Sequence, residues 1–286
     1  MTDREAIARQ FSGTGSAAPV WEALAVVVDT DRCLNMGYSP WYLPTVVGDS
    51  QLRLGRYLGR AVTRRLGYSA GARLLDVGCG RGGPTVELVE RFGFDAVGVD
   101  LVPHNVRTAR GNAEQTDRTA DFCVGDALSL PVTTDSVDAC VVVDAAQYVS
   151  DTAALFSELT RVTRPGGVVA VSDLVRTDPD ASEAALATFA EAWDMAVPQP
   201  TAAFRADARR AGLVDVEMRS ITGGSVARFR RWADLFLAAV GTPLRSVAER
   251  ALSREGIDLT AVVEQVRRTR PALDAVGHAV LVGRVR

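Results

Sequence analysis

In the stretch "LLDVGCGRGG" (74–83), an acid, Asp76, stands two positions before a cluster of four glycines, Gly78, Gly80, Gly82 and Gly83. Glycines at this spacing after an apolar run let the backbone turn tightly and come close to a ligand. Two more acids follow similar runs: Asp100 closes "DAVGVD", and Asp126 lies in "GDA". An acid roughly twenty residues after such a turn can accept both hydroxyls of a ribose, and a third can accept from an exocyclic base amine. Together these residue types describe a seat for a nucleoside cofactor. The glycines alone do not choose which one. Gly78, Gly80 and Gly83 satisfy G-x-G-x-x-G, the dinucleotide pattern, whereas Gly78, Gly80 and Gly82 satisfy G-x-G-x-G.

Charge separates the two. A pyrophosphate approaching this turn would meet the Asp76 carboxylate, whereas S-adenosylmethionine (SAM) presents an ammonium and a sulfonium there, which a carboxylate favours. Asp126 strengthens the second choice, because a dinucleotide fold has no standing need for an acid after the third strand.

The elements that must position these residues follow from periodicity. From about residue 73, short β-branched runs alternate with helical patterns, the signature of a parallel α/β sheet. Strands are predicted at "RLLDVG", "DAVGVD", "ADFCVGDA", "VDACVVVDAA" and "VVAVSDLV", with helices between them and a stop at Pro165-Gly166-Gly167. "DVEMRSIT" (215–222) and "HAVLVGRVR" (278–286) read as a late antiparallel pair. The expected fold is α/β, a Rossmann-like, seven-stranded, mostly parallel sheet with helices on both faces. Residues 1–70 are expected to form an N-terminal helical lid. Residues 71–286 form the cofactor domain, with helical insertions at about 176–210 and 223–274 as cap and acceptor pocket, since ligands of such sheets bind outside the carboxyl ends of the strands.

Beyond the first motif, "VGVDLVPHNVRTAR", "GDALSLPVTTDSVDACVVVDA" and "LTRVTRPGGVVAVSD" resemble the corresponding segments of the class I SAM-dependent methyltransferases. The similarity covers about 73–175, and "LNMGYSPWY" (34–42) is similar to the entry segment of their sterol, tocopherol, sugar and natural-product branch. The resemblance implies that Asp76, Gly78, Cys79, Gly80, Asp100, Leu101, Asn105, Asp126, Ala127 and Asp144 hold SAM, with Tyr38 covering it from the lid. Asp144 takes the place of an acid that follows the fourth strand in those proteins. Many oxygen-methylating relatives carry a histidine base just after that acid. Here "DAAQYVSD" puts Gln147 and Tyr148 at those positions. Gln147, Tyr148 and above all Asp173, at the end of the fifth strand, are the catalytic candidates. His104 and His278 are poor substitutes on sequence grounds.

Composition narrows the partners. The 286-residue chain carries a net charge of −3, is 47% hydrophobic and contains no lysine, so its basic residues are all arginines. That excludes a Schiff-base or P-loop lysine, and the lack of a basic run argues against nucleic acid. A small neutral or apolar acceptor fits better, as does an apolar pocket lined from among Trp41, Tyr42, Tyr148, Trp193, Phe204, Phe229, Trp232 and Phe236. Four scattered cysteines without a C-x-x-C pair predict no metal site. No stretch reads as a bilayer span or secretion signal, so the expectation is a cytoplasmic protein without membrane partners; the sequence leaves the oligomeric state open, a homodimer being one alternative. The leading expectation is methyl transfer to a small natural-product or isoprenoid-like acceptor. The alternative is a cyclase or rearrangement enzyme that keeps SAM as a structural ligand, and the third is a non-catalytic SAM-binding partner.

Overall fold

A computed structural model describes residues 7, 11, 29–40, 49–116, 120–243, 245–254 and 256–286. Trp41 and Tyr42 lie outside them. The described chain builds a seven-stranded sheet from β1 (Arg73–Val77), β2 (Asp95–Asp100), β3 (Asp121–Val124), β4 (Val137–Val143), β5 (Thr163–Arg176), β6 (Leu213–Ser220) and β7 (Val276–Val285). The order is β3-β2-β1-β4-β5-β7-β6. Strands β1 to β5 pair in parallel, and β7 runs antiparallel to both β5 and β6, as the late strand pair in the sequence predicts.

The central strands are apolar on both sides because both sheet faces are covered. On one face lie α1 (Ser50–Leu66), α2 (Gly83–Phe92) and α3 (Pro103–Ala113), which contribute Leu54 and Leu58, Val86 and Leu88, and Val106 and Ala109 to a common core. On the other lie α4 (Thr152–Val162) and α6 (Thr201–Arg210), through Leu155, Phe156 and Leu159 and through Phe204 and Ala208. Helix α4 starts where the Asp151 carboxylate accepts from Ala154 N at 3.0 Å, satisfying one of the free donors of the first turn.

The insertions are helical, but less continuously than the sequence pattern implies. Between β5 and β6, α5 (Glu183–Ala192) precedes α6, and between β6 and β7 lie α7 (Val226–Val240), α8 (Arg245–Arg254) and α9 (Leu259–Thr269). Helix α5 and the start of α7 share a core with Leu174 of β5 and Val276 of β7, so this cap is fastened to the sheet at the carboxyl end of β5. Within the N-terminal region the expectation of helix does not hold throughout. Residues 29–40 are turns and irregular backbone, a strap with a local turn in which Cys33 N donates to Asp29 O at 3.0 Å, and with further hydrogen bonds to its neighbours. Gly83 N donates to Arg32 O, Tyr38 N to Ser50 O and Ser39 N to Gly224 O, at 2.8–2.9 Å.

Candidate cofactor and active site

Strand order reverses at β1 and β4, whose crossovers leave to opposite sides, and a cavity opens at their carboxyl ends. This is where an open α/β sheet accepts a ligand. Its wall includes Asp76, Gly78, Cys79, Gly80, Asp100 and Leu101 from β1, β2 and their loops. It also includes Asn105, Asp126, Ala127, Asp144 and Tyr148. Tyr38, Gln147 and Asp173 are not part of it.

The turn after β1 depends on glycine. Gly78 has φ +72°, and a Cβ there would lie 2.4 Å from Ala145 Cβ, so the β1 and β4 loops touch at a point where no side chain fits. Gly82 has φ +82° and backs onto Ala109 and Phe122, whereas Gly83 is not in the left-handed region. Gly83 is required by packing instead, since a Cβ there would lie 2.5 Å from Arg32 O, so the turn uses all four glycines and does not by itself choose between the two patterns.

The three acids are held differently. Asp76 is fully buried; Thr85 Oγ1 donates to its Oδ2 at 2.6 Å, while Oδ1 has no partner. Burial, aided by the Asp100 charge and opposed by Thr85, pushes its carboxyl up to about 7. A buried acceptor with no donor is costly, and a ligand ammonium would satisfy it. Asp100 accepts from Gly80 N at 2.8 Å, Val102 N at 2.9 Å and Asn105 Nδ2 at 3.1 Å, tying the glycine turn to the loop that would meet a ribose. Burial raises it despite these three donors. Asp126 accepts from Leu128 N at 2.9 Å, which shapes the loop after β3.

Beyond β4, the structure corrects two catalytic expectations. Asp173 is 1% exposed and faces inward under the 145–148 turn, where Oδ2 accepts from Gln147 N at 2.8 Å and Oδ1 from Leu174 N at 2.6 Å. Burial and the neighbouring Asp144 charge push its carboxyl well up. The expected strand end is not one, because β5 runs on to Arg176 and the turn after β4 folds over this side chain. Asp173→Ala should thus act on stability: it leaves two buried N–H groups without acceptors, costing about 1–3 kcal/mol each, and thermal unfolding of the variant measures the loss. Gln147 is also turned away from the cavity: its Nε2 donates to Asp144 O at 3.3 Å, and its backbone carbonyl accepts from Ala196 N.

Tyr148 does line the cavity, edge-on to Phe11 at 5.1 Å. Tyr38 instead packs against Tyr57 at 5.3 Å and under Gly224, so it joins the strap to α1 and the cap. Of the other aromatic candidates, Phe204 is core against Phe156. Phe229, Trp232 and Phe236 stack along α7, with Trp193 at the end of α5 edge-on to Phe229, all outside the cavity wall. His104 is exposed at the start of α3.

Residues absent from the expected set also line the site. Leu34 and Asn35 come from the strap, and Asn35 is 5% exposed with Nδ2 unpartnered. The "LNMGY" segment carries both this amide and the aromatic residue, and its local pattern does not tell which of the two faces the cavity. Asp144 is paired with His278, a partner invisible at a separation of 134 residues.

A family described as "Methyltransferase domain" matches residues 75–171. Among curated proteins, "Methyltransferase GfsG" of Streptomyces halstedii is 31% identical over 49% of this chain and 51% of its own length. The chain spans about half the length of the first curated relatives it matches. Two solved structures share the fold at 18% identity. The [4+2]-cyclase SpnF has a TM-score of 0.70 and covers 98% of this chain and 94% of its own. Geranyl diphosphate C-methyltransferase from Streptomyces coelicolor A3(2) has a TM-score of 0.69 and covers 99% and 98%. The glycine turn and the acids at successive strand ends fall in or beside the cavity within the matched segment, and residues 75–171 accordingly resemble a methyltransferase domain.

Proposed function

We propose that the chain is a SAM-dependent methyltransferase acting on a small, uncharged acceptor of natural-product or isoprenoid-like character. The unpartnered Asp76 Oδ1, buried in the cavity beside the glycine turn, carries the cofactor half of this reading. It suits the ammonium of SAM and would repel a pyrophosphate. Asp100 and Asn105 would face the ribose, and Asp126 and Ala127 the adenine. When bound, SAM supplies an electrophilic methyl group. The wall beyond the cofactor residues supports the acceptor half. Phe11, Leu34, Tyr148 and Val149 are apolar or aromatic, and no arginine or histidine stands among the described lining residues to neutralise a phosphate or carboxylate.

The chain's own contribution would then be orientation. Holding reactants in line can supply roughly 7–11 kcal/mol of a barrier, whereas a positioned base is worth about 10²–10⁴-fold. With Asp173 enclosed and Gln147 turned away, the acceptor that suits this site is one whose nucleophile needs little deprotonation: an unprotonated amine, a π-bond or an acidic hydroxyl.

The same absence of a base at 147–148 favours a second reading, cyclisation with SAM as a structural ligand. S-adenosylhomocysteine released per product separates the two. A ratio near one is expected; a ratio near zero with the acceptor consumed would replace the methyltransferase reading by the cyclase. Calorimetric titration with SAM, S-adenosylhomocysteine and NAD tests the cofactor, and binding of NAD alone would overturn it. The cytoplasmic location expected from the sequence belongs to this same proposal. Among the described residues no helix is long and apolar enough to cross a membrane.

A further inference from the structure

We propose that His278 is a positioning residue of the cofactor site, acting through Asp144 to pin the Met36 backbone and so hold Leu34 and Asn35 against the glycine turn. The inference rests on the reading that this cavity takes SAM.

The latch is built from four separate parts of the chain. Asp144 follows β4 in the left-handed region at φ +55°, a conformation that aspartate tolerates better than most residues. It is 4% exposed and lines the cavity. Its Oδ1 accepts from Ser172 Oγ at 2.6 Å and meets His278 Nε2 at 2.8 Å, and its Oδ2 accepts from Met36 N at 2.9 Å. Asp144 therefore spends its contacts on the protein: it is a pin that shapes the cavity edge, where the sequence resemblance implied a direct cofactor ligand. Burial raises its carboxyl, but His278, Ser172 and Met36 together hold it below the usual carboxylate value.

His278 has no other visible task. It is completely buried on β7, and its Nδ1 has no hydrogen-bond partner, so Nε2 alone connects the ring to a polar neighbour. A leucine would fill comparable space without the desolvation cost of an imidazole. What the imidazole adds is a donor to a buried carboxylate.

Opposite the latch, the strap is tied to α1. Gln51 Nε2 donates to Cys33 O at 3.1 Å and to Asn35 O at 2.9 Å, and Gly37 N donates to Asn35 Oδ1 at 2.9 Å. Met36 N is thus the tie between the strap and the end of β4. Leu34 is the nearest side chain to Gly80, so slack at Met36 would be felt at the turn that meets the cofactor.

The test combines amide hydrogen exchange of the strap with S-adenosylhomocysteine titration, on the full chain and its His278→Leu and His278→Gln variants. Local opening sets exchange rates. In His278→Leu, exchange across 33–39 should rise about tenfold or more, because Met36 loses its anchored acceptor. The S-adenosylhomocysteine dissociation constant should rise by about tenfold in parallel. Glutamine places an N–H close to where histidine Nε2 stands, so His278→Gln should restore both readouts towards wild type. Unchanged strap exchange in His278→Leu, or a glutamine variant that behaves like leucine, would overturn the latch. If His278→Leu does not fold, His278→Asn, too short to reach Asp144, replaces it against glutamine with the same two criteria. Wild-type protein that fails to bind S-adenosylhomocysteine sinks the cofactor reading instead, and strap exchange still judges the latch by itself.

Discussion

SAM affinity should fall about tenfold for each pH unit below about 7, and Asp76→Asn should both weaken binding and flatten that dependence. In the free protein the Asp76 carboxyl titrates near 7 because it is buried and Oδ1 lacks a donor. A ligand ammonium at Oδ1 needs the ionised form. Below the titration point, binding must therefore expel a proton, and affinity drops with the ionised fraction. The sign for stability is the reverse. A folded value raised above the ordinary 3.8 stabilises the free protein below that value and is lost as pH rises through about 7. Bound SAM should return that stability by satisfying the charge. Calorimetry from pH 5.5 to 8 measures the slope. A flat wild-type profile, or a steep one in Asp76→Asn, would detach Asp76 from the cofactor.

The other large effect is expected at Asp100. Asp100→Ala should weaken SAM binding by about 1–3 kcal/mol or more, roughly ten- to a hundredfold, because two losses coincide. The ribose hydroxyls lose a charged acceptor, and Gly80 N, Val102 N and Asn105 Nδ2 lose the carboxylate that holds the cavity wall in shape. Asp100→Asn separates the two. An amide oxygen can still accept from one side, so an intermediate loss is expected, with the glycine turn better preserved than in alanine. Equal affinity in wild type and Asp100→Ala would show that the ribose is held elsewhere.

Much of this protein was legible before its structure. The β1 turn, the acids at 76, 100 and 126 and the alternation from about 73 onward are local in the chain. A strand end and its following loop carry their chemistry within a few residues, so spacing exposes it. The antiparallel β6–β7 pair was equally readable, because each strand shows its own β-branched run.

Tertiary structure decided which of these side chains reach the cavity and what they do there. In the sequence Asp173 and Asp144 both read as acids at carboxyl ends of strands, whereas in the structure Asp144 follows β4 and Asp173 lies inside β5, which runs on to Arg176. The 145–148 turn closes over Asp173, whereas Asp144 turns in the left-handed region to the cavity edge and joins Met36, Ser172 and His278. That outcome depends on strap, β5 and β7 converging from sites 28 to 134 residues away. Likewise the direction of the Tyr38 side chain is set by Tyr57 and Gly224 and not by its own segment. The sequence by itself determined the loops proposed to seat the cofactor, since those residues are written in contiguous segments; the proposed acceptor wall and the latch behind it exist only where distant strands and the strap meet, because burial and hydrogen-bond partnership are properties of the packed chain.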